Sequence, residues 1–171
     1  MGNENTIQEL GKIRIDCMYG KKKHYNARDR YAKYHLRIGI VIVIVTAIMG
    51  TSVYYFISKN ESLAVQIITG VFTIVIAVLA ALQTYLNFEK RALMHKITAD
   101  RYLSAMKDAQ LFISYCKDGS KSMDQAQSEI GRLSKEIKEI QKDEPETSES
   151  DYKRARAGVK DGEERYAEEE T

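Results

Sequence analysis

Charge is almost absent from nearly a third of this chain: residues 38–88 of the 171 hold only Lys59 and Glu61. That gap excludes a water-facing domain there and leaves two apolar runs, 38–58 (21 residues) and 62–88 (27 residues), separated by Lys59-Asn60-Glu61. A bilayer core takes about 20 apolar residues of helix to cross. Both runs are long enough, and a three-residue connection can turn one span into the next but cannot hold a domain. The spacing predicts a transmembrane hairpin: span 38–58, external turn 59–61, span 62–88. Mean hydropathy over the whole chain is negative, but only because the charge is confined to the flanks. Roughly 120 residues remain outside the bilayer, a modest soluble part.

Residue types that carry chemistry are equally scarce. There are two cysteines, Cys17 and Cys116, and three histidines, His24, His35 and His95. Both cysteines fall on the side expected to be cytoplasmic, hence reduced, so no disulfide framework is expected. The histidines are scattered, and none has a carboxylate or cysteine at metal-ligand or base-orienter spacing. No nucleophile elbow, phosphate loop or paired carboxylates are present. We therefore expect no catalytic residue, metal or cofactor, no enzymatic activity and no nucleic-acid partner; His95 reads as a packing residue of an amphipathic helix.

Charge sets the orientation. Residues 1–37 carry nine Lys/Arg against four Asp/Glu, and Lys90, Arg91, Lys96 and Arg101 follow the second span. Basic residues near span ends stay on the cytoplasmic side, which predicts cytoplasmic termini and a multi-pass protein of a bacterial inner (plasma) membrane. A cleaved signal peptide fits poorly, because the apolar region starts late and is too long. The opening Met1-Gly2-Asn3-Glu4-Asn5-Thr6 matches the short myristoylation pattern, but one acyl chain adds little to two spans.

The segment 1–37 begins with Ile7, Leu10, Ile13 (or Arg14) and Cys17 at helical spacing, a short amphipathic helix that Gly20 is expected to end. Arg28, Arg30, Tyr31, Lys33, Tyr34 and Arg37 then lead into the membrane. Interleaved cations and tyrosines suit anionic lipid headgroups; a site for a phosphorylated ligand in this stretch is the sharper alternative.

From Asn87 to Lys117 there is no Pro or Gly, and Ala92, Ala99, Met106 and Ile113 repeat every seven residues, broadened by Leu93, Tyr102, Leu103 and Ala109. One continuous helix from 62 to 116 would rise ~80 Å, carrying a cytoplasmic extension over 89–118. Asp118-Gly119-Ser120 supplies a stop and a restart, with Ser120 as N-cap. Over 119–142, Met123, Ala126, Ile130, Leu133, Ile137 and Ile140 trace a coiled-coil a/d seam. Two uses are open: folding back on the preceding helix, or association between subunits. The tail 143–171 holds eleven acidic and five basic residues with the chain's one proline and almost no aliphatics, and is expected to be disordered. It could fold over the basic part, although a solvated tail is the plainer expectation.

In the second span Gln66, Thr69, Thr73, Gln83 and Asn87 fall on one stripe, beside Thr69, Thr73, Ala77 and Ala81 at every fourth position. Gly39, Ala47 and Thr51 on the first span sit at comparable intervals. Small residues let membrane helices approach closely, and polar ones in hydrocarbon need polar company. The stripe either packs on the first span or faces other subunits and lines a polar path. The second use requires a homo-oligomer, since two spans cannot enclose a pore.

The basic-aromatic approach Arg28-Asp29-Arg30-Tyr31-Ala32-Lys33-Tyr34, the tight hairpin, and the exit from Phe88 through Ala92, His95, Ala99, Tyr102 and Leu103 resemble the SLATT domains. These are two-transmembrane effectors of bacterial conflict systems that work beside nucleotide-signalling enzymes. The likeness covers about residues 20–118. It implies a pore-forming or membrane-perturbing antiphage effector released by a partner enzyme or other sensor protein. The alternatives are an anchor or adaptor presenting a cytoplasmic helical bundle, and a holin-like protein. The fold expected is all-α.

Overall fold

The computed structural model describes residues 2–57 and 63–163, and these are all-helical. Helices α1 (Gly2–Ile57), α2 (Leu63–Leu86), α3 (Phe88–Lys117), α4 (Met123–Asp143) and α5 (Glu149–Lys160) follow in order. The turn at 59–61, the span ends Ser58 and Ser62, and residues 164–171 lie outside the described residues. Two compact units are formed, one from 1–29 with 92–171, the other from 30–91.

The larger unit is built on three helix segments. Gly20 meets Tyr102 and, further along α1, His24 meets His95; one number rises as the other falls, so α1 and α3 run antiparallel, and the Tyr25 hydroxyl reaches Asp100 alongside them. Asp108–Arg132 and Tyr102–Glu144 relate α3 to α4 in the same way. The core between them holds Leu10, Cys17 and Met18 of α1, Tyr102, Ala105, Met106, Ala109 and Cys116 of α3, and Ala126, Leu133 and Ile140 of α4. Ile130 and Ile137 pack against it half-buried; the side chain of Met123 lies outside the described part. The α4 seam is thus filled within the chain, by α1 as well as α3. Leu133 is fully buried, and Leu133→Ala should cost about 2–5 kcal/mol. The melting temperature of the detergent-purified protein should fall accordingly, independent of protein concentration. Loss only on dilution would instead place the seam between subunits.

Four local expectations are corrected. Gly20 does not end a helix: α1 continues through it, because α1 and α3 approach so closely there that only a residue without a side chain fits. The expected continuous helix over 62–116 breaks at Asn87, which adopts φ 44°. Asn tolerates this left-handed conformation, and its Oδ1 accepts from the Lys90 N–H at 3.3 Å, capping α3. The N-cap of α4 is Ser122, not Ser120, in a reciprocal box with Gln125; Gly119, at φ 68°, makes the turn before it. Leu93, expected on the apolar stripe of α3, is exposed, whereas Ala92, Ala99 and Met106 are buried.

The fifth correction is the tail, where Glu149–Lys160 form α5. Composition predicts disorder because the segment cannot bury its own aliphatics. Order comes instead from a Ser148–Asp151 capping box and from docking a face of Asp151, Ala155 and Gly158, all buried. The Asn26 amide donates to the Asp151 carbonyl at 3.0 Å, and Tyr19 meets Tyr152 with ring centroids 6.5 Å apart.

The smaller unit is the hairpin. The apolar stretches of α1 and α2 are long enough to cross a membrane and unburied by the protein itself. Where they face each other, Ile38, Gly39, Ile42, Val45 and Met49 of α1 and Thr69, Ile76, Leu79, Gln83 and Leu86 of α2 are half-buried.

Candidate functional site

A cluster of hydrogen-bonded polar groups lies where α1, α3 and the end of α4 converge. His24 and His95 are both buried, with their Nδ1 atoms 2.9 Å apart. His24 Nε2 lies 3.0 Å from Glu144 Oε2, the Tyr102 hydroxyl donates to the same oxygen at 2.8 Å, and Lys23 Nζ donates to Glu144 Oε1 at 2.9 Å. The Tyr102 ring stacks on His24 at 5.9 Å and carries the Lys23 ammonium 6.0 Å above its centroid.

Local chemistry explains how Glu144 gets there. Pro145 disfavours helix for the residue before it, and Glu144 is accordingly extended at φ −68°, ψ 136°. That ends α4 and leaves the carboxylate facing the α1 cations instead of continuing the helix.

Burial pushes the His24 imidazole below its ordinary value, more than Glu144 raises it, so His24 is neutral at pH 7. A neutral ring beside a carboxylate donates from Nε2. Its Nδ1 is therefore the acceptor, and His95 Nδ1–H is the donor to it. Burial pushes Glu144 up, but hydrogen bonds from Lys23, Tyr102 and His24 outweigh it and hold the carboxyl below its usual range. Burial and Glu144 also push the Tyr102 phenol well up. The result is an ionised carboxylate with three donors on it, and two imidazoles in a fixed chain behind it.

Both pKa shifts set the same sign of pH dependence. An unfolded His24 takes a proton as pH falls through about 6.5, while the folded one resists it. Stability is therefore full above that value and lost below it. Glu144, with its folded value lowered, contributes stability above about 4.5 that is lost on further acidification. The melting temperature should be flat from pH 8 to 7 and fall between pH 6.5 and 5.5. His24→Gln should flatten that first fall whatever its own stability, and an unchanged slope would assign it elsewhere.

The core cysteines offer no nucleophile. Cys17 and Cys116 are free and buried, and burial, with Asp16 and Glu136 nearby, pushes the Cys17 thiol up to about 12. Among the described residues no group of three His, Cys, Asp or Glu is placed to hold a metal ion.

The hairpin splits the polar stripe expected of α2. Thr69 and Gln83 are half-buried toward α1; Gln83 Nε2 lies 3.5 Å from His35 Nδ1 and approaches Gly39. Gln66, Thr73 and Asn87 are exposed, as are Ala77, Ala81, Ala47 and Thr51. The five polar residues therefore do not share one environment. Thr73 and Thr51 turn their hydroxyls onto their own helices, donating to Thr69 O at 2.9 Å and Ile48 O at 2.8 Å.

The membrane-approach residues form an aromatic cluster. Tyr31 and Tyr34 lie 6.1 and 5.8 Å from the Phe88 ring, and Arg30 and Arg91 lie 4.4 and 5.9 Å over Tyr31. Lys33 and Arg37 are exposed. Arg28 belongs to the larger unit, 5.7 Å over Tyr25 and 3.1 Å from Asp29.

Sequence reasoning had no local signal for the His24–His95–Glu144 network, whose members are 71 and 120 residues apart. The one hint was the exit pattern Phe88, Ala92, His95, Ala99, Tyr102 and Leu103, of which Ala92, His95, Ala99 and Tyr102 are buried on α3 while Leu103 is half-buried.

Two apolar, membrane-spanning helices on an all-helical unit define a two-span membrane protein. The chain belongs to the SMODS and SLOG-associating 2TM effector domain family 4, whose sequence profile matches residues 7–171. The match runs through α4 and α5, well past the 20–118 over which the resemblance is legible. No curated protein and no solved structure matches the chain significantly.

Proposed function

We propose that this protein is a non-enzymatic membrane effector of bacterial antiphage defence. It resides in the inner membrane with both termini in the cytoplasm. Copies assemble through the uncovered face of α2, open a polar path and kill the infected cell. The trigger comes from a separate sensor, such as a nucleotide-signalling enzyme.

One observation carries the reading. In the single chain, Thr73, Ala77 and Ala81 form an exposed small-residue ridge on a membrane helix, the surface on which such helices approach closely. The two spans leave this ridge to other copies, and Gln66 is exposed on the same helix. The family's description as effector domains supports the direction of the argument.

The test is membrane potential in bacteria expressing the chain with its neighbouring genes. Wild type should depolarise the cells, while Ala77→Leu/Ala81→Leu and Thr69→Leu/Thr73→Leu should insert equally and leave the potential intact. A ridge variant that inserts and still depolarises at the wild-type rate sinks the assembly. A second reading, a non-toxic anchor for the helical unit, is favoured by one feature: the Thr73 and Thr51 hydroxyls are satisfied by their own helices. Wild type that leaves the potential unchanged with those genes present would select it.

A further inference from the structure

The docked α5 encloses a feature outside both the histidine network and the spans. A cleft of about 310 Å3 is lined by Lys21, Lys22, Tyr25 and Asn26 of α1, Arg154 of α5, and Glu163 just beyond α5. Three cations thus converge from two helices that the chain's polar composition alone would not bring together. Lys21 and the Lys22 side chain are largely buried, whereas the Glu163 side chain is two-thirds exposed.

The cleft already holds an anion of the chain's own. Glu163 forms an ion pair with Lys22, and this pair, before the neighbouring Arg154, holds the Glu163 carboxyl below its usual range. Its placement is built in. Gly162, at φ 84°, turns the chain back, the Glu163 N–H donates to Gly158 O at 3.0 Å, and the carboxylate returns over α5. A Cβ on Gly158 would collide with that carboxylate and lie 2.8 Å from Lys22 Nζ, so the absent side chain is what lets both charges meet there. Among the described residues, Asp100 accepts from the Tyr25 hydroxyl and Asp151 accepts from the Ser148 hydroxyl of the α5 cap.

We propose that this cleft is a binding site for a small phosphorylated ligand, and that Glu163 occupies it as an internal competitor. A carboxylate has one charge and two oxygens, and it comes here from an exposed chain segment. A phosphoryl group brings about two charges and three oxygens, enough to bridge Lys22 and Arg154 together. Arg and Lys are the side chains that recognise it. The volume lies at the small end of ligand pockets, which suits one or two phosphates and excludes a large polyanion. The inference goes beyond the pore reading and stands without it, because it is tested by binding rather than toxicity.

A free phosphorylated molecule and a lipid headgroup share this chemistry, and two arms distinguish them. In the first, full-length protein in phosphatidylcholine nanodiscs is titrated with inorganic pyrophosphate by calorimetry. In the second, phosphatidylglycerol replaces part of the lipid and the pyrophosphate affinity is measured again. Glu163→Gln should bind pyrophosphate about tenfold more tightly, and Arg154→Ser about tenfold more weakly. Lys153→Ser removes the same charge from the exposed side of α5, where Lys153 pairs with Glu149, and should bind as wild type. Unaltered affinity in phosphatidylglycerol assigns the site to a soluble ligand; competition that Arg154→Ser abolishes assigns it to a headgroup. Either assignment upholds the cleft. Absence of binding even to Glu163→Gln, or equal losses in Arg154→Ser and Lys153→Ser, overturns it.

Discussion

Replacing Glu144 by Gln should unfold the helical unit at a temperature well below wild type. Three donors converge on this carboxylate, from Lys23, His24 and Tyr102. The amide has one oxygen and brings two further N–H donors, so at least one of the three loses its acceptor inside the protein. An unmade hydrogen bond on a buried group costs about 1–3 kcal/mol, and removing one partner of a buried ion pair about 3–5. Glu144 is partly exposed, so the lower part of that range applies, about 2–4 kcal/mol in all. For a unit of this size each kcal/mol lowers the melting temperature by about 4–8 °C. The measurement is thermal unfolding at pH 7.5 in detergent, with Glu146→Gln as the exposed neighbouring control. Equal melting of the two variants would show that the network contributes nothing to stability.

Gly20→Ala should destabilise although it places a better helix former inside a helix. At an open helical site this exchange gains about 0.5–1 kcal/mol, and Gly131 in α4, with nothing near its missing Cβ, should show that gain. At Gly20 the new methyl would sit 2.8–2.9 Å from three carbons of the Tyr102 ring. The ring cannot retreat freely, since it stacks on His24 and its hydroxyl holds Glu144. Overpacking of this kind costs about 1–3 kcal/mol, which exceeds the propensity gain and reverses the sign. The two variants should move the melting temperature in opposite directions. A gain at both positions would mean that α1 and α3 are less tightly apposed at Tyr102.

The hairpin needed no structure to be seen. Two uncharged runs of sufficient length admit few other readings, because an exposed apolar helix of that length is stable only in lipid. The faces of α3 and α4 were also legible: Ala92, Ala99 and Met106, and Ala126, Leu133 and Ile140, follow from helical periodicity alone and are buried.

Local rules failed where a residue's role depends on a distant partner. Gly20 reads as a helix stop until Tyr102 lies against it. The tail reads as disordered until α1 lies against it, since a short, highly charged helix with few aliphatics gains its order from docking.

What the sequence determined by itself is therefore the membrane hairpin, the helical class and the apolar faces, all of them properties of segments. The tertiary structure alone decided which polar groups meet. His24 and His95 with Glu144, and Lys22 and Arg154 with Glu163, are ordinary surface-type residues in sequence. His24 with His95 and Glu144, and Lys22 with Glu163, meet only because helix packing brings positions 71 to 141 residues apart within hydrogen-bonding distance, and a local pattern has no access to that separation.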